Sequence, residues 1–187
     1  SVKAAALGSF AVAAVGGLVL VGLTAQWWLL LVGAASIAAA WLYTGGPRPY
    51  GYAGLGEVFV FVFFGVVPVV GTAYVQTLVI TAVDVVASVG VGLLACAILV
   101  ANNLRDIPTD RQSGKRTLAV RLGDKGTRSL WLALIVVSAV ACAAMWPFAP
   151  WAVLGLVAVP VVWPAARAVL GGATGRDLIP ALAGTGL

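Results

Sequence analysis

Residues 85–128 read VVASVGVGLLACAILVANNLRDIPTDRQSGKRTLAVRLGDKGTR and contain the sharpest change of composition in the chain. The first 20 of these residues carry no charge, whereas the next 24 hold 10 of the chain's 17 charged residues. A helix needs about 20 apolar residues to cross the hydrocarbon core of a bilayer. We therefore predict a membrane-spanning helix that ends in a charged segment at the membrane surface.

The rest of the chain has the same character. Uncharged stretches cover residues 4–47, 58–83 and 129–166, and 62% of all residues are hydrophobic while 9% are charged. Soluble domains carry about 25% charged residues. The runs are continuously apolar and lack the alternation of strands, which favours helices over a barrel. We predict an all-α, polytopic transmembrane helical bundle, a single membrane-embedded domain over 1–187. Its six spans lie near 4–23, 27–43, 56–75, 80–102, 129–146 and 151–170.

The basic residues predict an orientation. With six spans, all 11 Lys and Arg residues fall on one face of the membrane, and the three turns on the other face have none. The positive-inside rule places such a face in the cytoplasm. We expect a protein integral to the cell (inner) membrane, with the lipid bilayer as a partner. The net charge of +5 then reflects topology, and nucleic acid is not an expected partner.

Missing and sparse residue types exclude several kinds of site. The chain has no histidine, which excludes histidine-based triads, histidine-ligated zinc and histidine general bases. Its two cysteines, Cys96 and Cys142, lie inside apolar runs, where cysteine behaves as a small buried hydrophobe.

The charged segment contains a candidate site. Asn102, Asp106 and Asp110 are spaced by four residues, which places them on one helix face. Pro108 interrupts this pattern, so we expect the fourth span to end near Asp106 and a new turn to begin at Pro108. Magnesium binds through one or two carboxylates and completes its shell with waters and substrate phosphates. Neighbouring cations such as Arg105 would neutralise phosphate charge. The alternative is helix capping beside a loop that is basic by topology alone.

A second candidate is the loop at residues 43–57, YTGGPRPYGYAGLGE. Tyr43, Tyr50 and Tyr52 lie near Arg48 in the sequence, as expected for contacts to a diphosphate and an aromatic substrate. The alternative is an interfacial aromatic belt with an orienting cation. Glu57 follows at the start of the third span, where the helix dipole favours an acid, and we interpret it as a cap.

Both segments resemble the UbiA superfamily of intramembrane aromatic prenyltransferases. NNLRDIPTDRQSGKRTLAVRLG (102–123) is similar to the family's second aspartate-rich motif. YTGGPRPYGYAGLGEVFVFVFFG (43–65) resembles the branch that prenylates 1,4-dihydroxy-2-naphthoate in menaquinone synthesis. The span pattern agrees along essentially the whole chain and would correspond to helices three to eight of the family's nine.

The resemblance implies a magnesium-dependent reaction. A polyprenyl diphosphate would give its allylic chain to 1,4-dihydroxy-2-naphthoate, which loses its carboxyl group as carbon dioxide. Asp106 and Asp110 would hold the metal, with Tyr43 and Arg48 as a further catalytic pair. The implied diphosphate-binding residues are Asn102, Asn103, Arg105, Lys115 and Arg116.

One departure from the family pattern sets a further expectation. The family's first aspartate-rich motif lies between its second and third helices, and no second carboxylate cluster stands in for it in this sequence. The chain would then lack the first two helices and most of the ninth, and we expect it to be inactive alone. A prenyltransferase for another aromatic acceptor, a transporter or channel fragment and a structural subunit are the alternatives.

Overall fold

The computed structural model describes residues 2–45 and 49–186, and its regular elements there are helical throughout. The α-helices are α1 (Val2–Thr24), α2 (Leu29–Thr44), α3 (Gly56–Val60), α4 (Val67–Thr77), α5 (Ala82–Gln112), α6 (Leu118–Ala144), α7 (Ala158–Leu170) and α8 (Ile179–Gly186). The predicted all-α class is confirmed. The chain divides into two compact units, Ser1–Arg48 and Pro49–Leu187.

The first unit is a pair of apolar helices. α1 ends at Thr24 and α2 begins at Leu29, so the predicted break within the 4–47 stretch is confirmed. Ala25 turns the chain with a φ of 55°. Among the side chains of α1 and α2 whose burial the structure describes, only those of Val21 and Ala39 are buried. Nearly all of the apolar surface in this unit is therefore available to lipid.

Five helical runs in the described ranges are long and apolar enough to span a membrane. They are Ala4–Thr24, Gly56–Thr77, Ala82–Gln112, Leu118–Ala144 and Pro150–Leu170. The second predicted span, 27–43, corresponds to α2, which has only 16 residues. At 1.5 Å per residue α2 is about 24 Å long, less than the ~30 Å hydrocarbon core.

After a 3₁₀ turn at Tyr50–Tyr52, the second unit continues with one unbroken helical run whose middle changes geometry. α3 continues through a π-helical segment, Phe61–Val66, into α4. Pro68 lies at the start of α4. Because proline has no N–H and its ring crowds the carbonyl four residues earlier, the wider preceding turn accommodates it.

Two glycines allow this run to cross α5 at close range. A Cβ on Gly65 would overlap the Cα of Gly92 and lie 2.7 Å from its nitrogen. A Cβ on Gly92 would lie 2.8 Å from Cδ2 of Phe61. A larger side chain at Gly65 would therefore force the two backbones apart, and one at Gly92 would have to displace the Phe61 ring.

α5 is longer than the sequence predicted. It begins at a capping box formed by Thr81 and Asp84 and continues through Pro108 to Gln112. The prediction that it ends near Asp106 is wrong. Leu104 and Ile107 precede Pro108, which lacks the backbone donor, and both are buried, so their packing holds the helix together. Thr109 Oγ1 also donates to the carbonyl of Asp106, at 2.9 Å.

α6 contains two helical pieces joined at Gly123, whose φ is 71°. The predicted span began at residue 129, but helical structure already begins at Leu118. Arg128 is buried, pairs with Asp124 at 2.7 Å and donates to the carbonyls of Val169 and Ala173. This guanidinium therefore joins α6 to the C-terminal end of α7.

The core of the second unit surrounds Trp131, which is fully buried. Residues from α5 and from the C-terminal segment, including Val100 and Leu178, belong to the same cluster.

A separate apolar cavity of about 220 Å³ lies between α5, α6 and α7. Its nearest lining residue on α5 is Leu94, 16 residues or about 24 Å before Asp110 along the helix. The cavity is therefore remote from the charged end of α5.

Candidate active site

The C-terminal turns of α5 carry two aspartates in different surroundings. Because α5 is helical throughout, Asp106 and Asp110 lie one turn apart on one face. The Asp106 side chain is 33% exposed, and the Asp110 side chain is 8% exposed. Asn102 is half-buried and lies one turn before Asp106 on the same face. The predicted grouping of these three residues is therefore present.

Arg105 occupies both oxygens of Asp106. Its Nε donates to Oδ1 at 2.7 Å, and one terminal nitrogen donates to Oδ2 at 2.8 Å. Two parallel hydrogen bonds between a guanidinium and a carboxylate fix orientation as well as charge. Asp106 therefore has a bound counterion of its own within the chain.

Lys115 provides the counterion of Asp110. Its Nζ lies 3.1 Å from Oδ1, and its backbone N–H donates to the carbonyl of Asp110 at 2.9 Å. Gly114, with a φ of 74°, turns the chain back toward α5 after Gln112. The hydrogen bond to Asp110 raises the pKa of Lys115 above its ordinary value. The ammonium therefore remains charged at neutral pH.

The segment that contains Tyr50 and Tyr52 contacts Lys115 and the residues that follow it. The ring centroid of Tyr52 lies 4.9 Å from Lys115 Nζ, in a cation–π arrangement. The backbone N–H of Arg116 donates to the carbonyl of Tyr52 at 2.9 Å, and Arg121 donates to that of Ala53 at 2.7 Å. Tyr50 stacks on Phe59 with the ring centroids 3.8 Å apart. The Arg116 side chain itself is exposed.

A third carboxylate joins the site through Asn103. Nδ2 of Asn103 donates to Oε1 of Glu57 at 3.1 Å, across 46 residues of sequence. Glu57 lies in the first turn of α3, where the dipole interpretation placed it, but it also contacts α5. Sequence reasoning predicted Asn103 as a diphosphate ligand and missed this pairing, which no local pattern signals.

The contacts described so far do not include two of the predicted site residues, Tyr43 and Arg48. Tyr43 lies half-buried in the last turn of α2, within the first unit. Arg48 lies outside the described residues. The predicted pairing of these two residues with Asp106 and Asp110 stays a prediction.

The donor set fits a metal that is shared with substrate. Within 2–45 and 49–186 no group of three His, Cys, Asp or Glu side chains could enclose a cation. Two carboxylates on one face of α5 nevertheless match magnesium, which takes one or two carboxylates and leaves its other positions to water and phosphate. Magnesium is a reasonable occupant only together with further ligands.

Comparison with known proteins identifies the family. The profile of the UbiA prenyltransferase family matches residues 1–174. The chain belongs to this family. This UbiA-family chain is 54% identical over 187 residues to a 1,4-dihydroxy-2-naphthoate octaprenyltransferase of Mycobacterium tuberculosis, covering all of the chain and 64% of that relative.

Other relatives carry the same name. The protein of Mycobacterium leprae is 52% identical over the whole chain and 63% of its own length. That of Escherichia coli is 43% identical over 75% of the chain and 47% of its own length. The chain thus spans slightly less than two thirds of the mycobacterial relatives. No solved structure matches it.

Proposed function

We propose that the protein containing this chain transfers a polyprenyl group from its diphosphate to 1,4-dihydroxy-2-naphthoate. The bond between the allylic carbon and the diphosphate oxygen breaks, and a carbon–carbon bond to the naphthoate ring forms. Loss of the ring carboxyl group as carbon dioxide gives the quinol form of demethylmenaquinone, and diphosphate is the other product. The observation that carries the proposal is the paired arrangement of Asp106–Arg105 and Asp110–Lys115 at the end of α5. The names of the relatives support the acceptor.

Binding of the diphosphate is assigned to the end of α5. Asp106 and Asp110 would hold magnesium, which supplies charge neutralisation for the departing diphosphate when bound. Arg105 and Lys115 lie beside these carboxylates, and Arg116 follows on the exposed rim. Cations fixed where negative charge develops stabilise a leaving group without reorganising solvent. Asn102 would donate to the phosphate oxygens from the preceding turn.

The acceptor is assigned to the loop next to Lys115. Tyr52 lies against the ammonium group and provides an aromatic face beside it. We propose that Tyr43 and Arg48 act as a further catalytic pair in the whole enzyme. Asn103, which is bonded to Glu57, would position the end of α5 rather than contact phosphate directly.

We propose that this site faces the cytoplasm, with the protein integral to the inner membrane. The basic residues of segment 105–128 support this orientation through the positive-inside rule. A transporter would instead place its ionisable residues near mid-membrane. The placement of the charges at span ends favours the enzyme.

The decisive test replaces each aspartate in the full-length enzyme. Asp106→Asn and Asp110→Asn each remove a carboxylate at nearly constant volume, and we expect prenyl transfer to fall by at least about 100-fold. The assay measures labelled allylic diphosphate incorporated into 1,4-dihydroxy-2-naphthoate, with and without magnesium. Asp177→Asn, an exposed carboxylate on another segment, is the matched control. Unchanged transfer in both aspartate variants would refute the assignment, and activity with a different phenolic acceptor would redirect it.

A further inference from the structure

Each aspartate of the site is already paired with a cation close to it in the sequence. Asp106 pairs with Arg105 and Asp110 with Lys115. We propose that Arg105 and Lys115 are exchangeable counterions, which hold the carboxylates before substrate arrives and move to the diphosphate when the metal–diphosphate complex binds. The proposal rests on the proposed function and adds a prior state of the same site.

The Arg105 pairing must change before Asp106 can ligate a metal. Both carboxylate oxygens accept hydrogen bonds of 2.7 and 2.8 Å from one guanidinium. A divalent ion approaching those oxygens meets a full positive charge at hydrogen-bond distance, so like-charge repulsion opposes its binding. The Arg105 side chain is 29% exposed, which leaves it room to swing away from Asp106. The guanidinium fork suits a phosphate as well as a carboxylate.

Lys115 can likewise pair either with its aspartate or with a diphosphate. The Asp110 carboxylate is almost buried and requires a cationic partner, whereas the lysine side chain is 33% exposed and flexible. The Lys115 backbone is anchored by its hydrogen bond to the Asp110 carbonyl. Its ammonium can therefore leave the carboxylate while the backbone stays in place, and the Tyr52 ring remains beside it.

Charge balance favours the exchange. Two carboxylates and two cations are neutral together, and a divalent ion replaces the two cations at the carboxylates without changing that sum. The released cations then face the several negative charges of a diphosphate. Binding of metal alone releases the same cations with no anion to receive them. The metal and the diphosphate are therefore expected to bind together far better than the metal binds alone.

If the cations exchange in this way, removing either one should have two opposite effects on binding. Arg105→Gln and Lys115→Gln each free a carboxylate from competition, so metal without diphosphate should bind more tightly. The same changes remove a phosphate ligand, so diphosphate should bind less tightly at saturating metal. A cation that only binds phosphate gives the second effect without the first.

The experiment uses the full-length protein in detergent micelles with Mn²⁺ as the probe. Free Mn²⁺, measured by electron paramagnetic resonance, gives the affinity for metal alone, and labelled inorganic pyrophosphate at saturating Mn²⁺ gives the second affinity. For each variant we expect Mn²⁺ alone to bind about threefold more tightly and pyrophosphate about tenfold more weakly. Lys125→Gln removes an exposed cation outside the three ion pairs described above and should change neither value. Arg105→Lys, which keeps the charge, should lie between wild type and Arg105→Gln.

The outcomes separate this proposal from the one it rests on. Unchanged or weaker binding of Mn²⁺ alone in both glutamine variants, with pyrophosphate binding reduced, would overturn counterion exchange and leave the diphosphate site intact. If the wild-type enzyme binds no pyrophosphate at any Mn²⁺ concentration, the proposed function itself fails.

Discussion

At the scale of single residues, the pairing of Asn103 with Glu57 separates the two neighbouring asparagines of α5. Asn102 shares a face with Asp106, whereas Asn103 turns to the first turn of α3. Cys96 Sγ also contacts the Glu57 carbonyl, at 3.1 Å. Glu57 thus joins two helices beside the site, and we expect it to position the end of α5.

Replacement of Glu57 should distinguish a hydrogen-bond role from a charge role. Glu57→Gln keeps an acceptor for Asn103, so we expect nearly wild-type transfer. Glu57→Ala leaves the amide unpaired and should lower transfer by about fivefold, the equivalent of roughly 1 kcal/mol. The full-length enzyme is assayed at saturating and limiting acceptor. Asn103→Ala should give the same loss, and the double variant Glu57→Ala with Asn103→Ala should add little to it. Loss of transfer in Glu57→Gln would contradict the positioning role.

The residues that sequence reasoning found are those related by helix periodicity. The spacing of Asn102, Asp106 and Asp110 appears in a single segment, and a helix preserves it. The contact of Glu57 with α5 and the contact of Tyr52 with Lys115 each join segments that lie tens of residues apart. Such contacts depend on how the helices cross, which no local pattern records. Sequence alone therefore placed Asp106 and Asp110 on one helix face and missed the contacts that Glu57 and Tyr52 make with Asn103 and Lys115.

At the scale of elements, helix ends were harder to predict than helix existence. Pro108 indicated a break, but burial of Leu104 and Ile107 outweighs one lost backbone hydrogen bond. The charges between residues 118 and 128 concealed the beginning of α6, because a charged helix outside the apolar core has no hydropathy signal. Hydropathy marks the part of a helix in lipid, and tertiary packing decides where the helix ends.

The crossing of α5 with the π-helical segment should tolerate no added methyl group. Gly92→Ala places a Cβ 2.8 Å from the Phe61 ring, and we expect a loss of about 1–3 kcal/mol from overpacking. Thermal unfolding in detergent, followed by circular dichroism, measures it. Gly90→Ala, two residues away, is the matched control because its Cβ would meet Ala141 at an ordinary 3.8 Å. Alanine there should be neutral or stabilising by up to ~1 kcal/mol. Equal melting temperatures for the two variants would contradict the close crossing.

At the scale of the whole molecule, exposed apolar surface and clustered charge specify the environment. Large side chains such as Trp151 and Phe148 are more than two-thirds exposed, which water would not favour and lipid does. The charged residues at 105–128 lie at the C-terminal end of α5, in the turn that follows it and in the first part of α6. The predicted membrane class followed directly from composition, since it requires no knowledge of how the helices pack.

The orientation of α5 across the membrane can be measured directly. In full-length protein with Cys96→Ala and Cys142→Ala, a cysteine replacing the exposed Thr109 should react with an impermeant maleimide only from the cytoplasmic side. A cysteine replacing Ile80, which is 50% exposed just before the other end of the helix, should react only from outside. Intact cells and inverted vesicles provide the two sides. Reaction of the Thr109 position in intact cells would reverse the proposed topology.

The close crossing of Gly65 and Gly92 has a mechanical consequence for the rim of the site. Gly92 lies 11 residues before Asn103 along α5, a lever arm of about 16 Å. A tilt of about 5° at this pivot would displace Asn103 by about 1.4 Å, enough to disrupt its 3.1 Å hydrogen bond to Glu57. The two glycines at the pivot therefore set the alignment of the charged end of α5, although they lie several turns away from it.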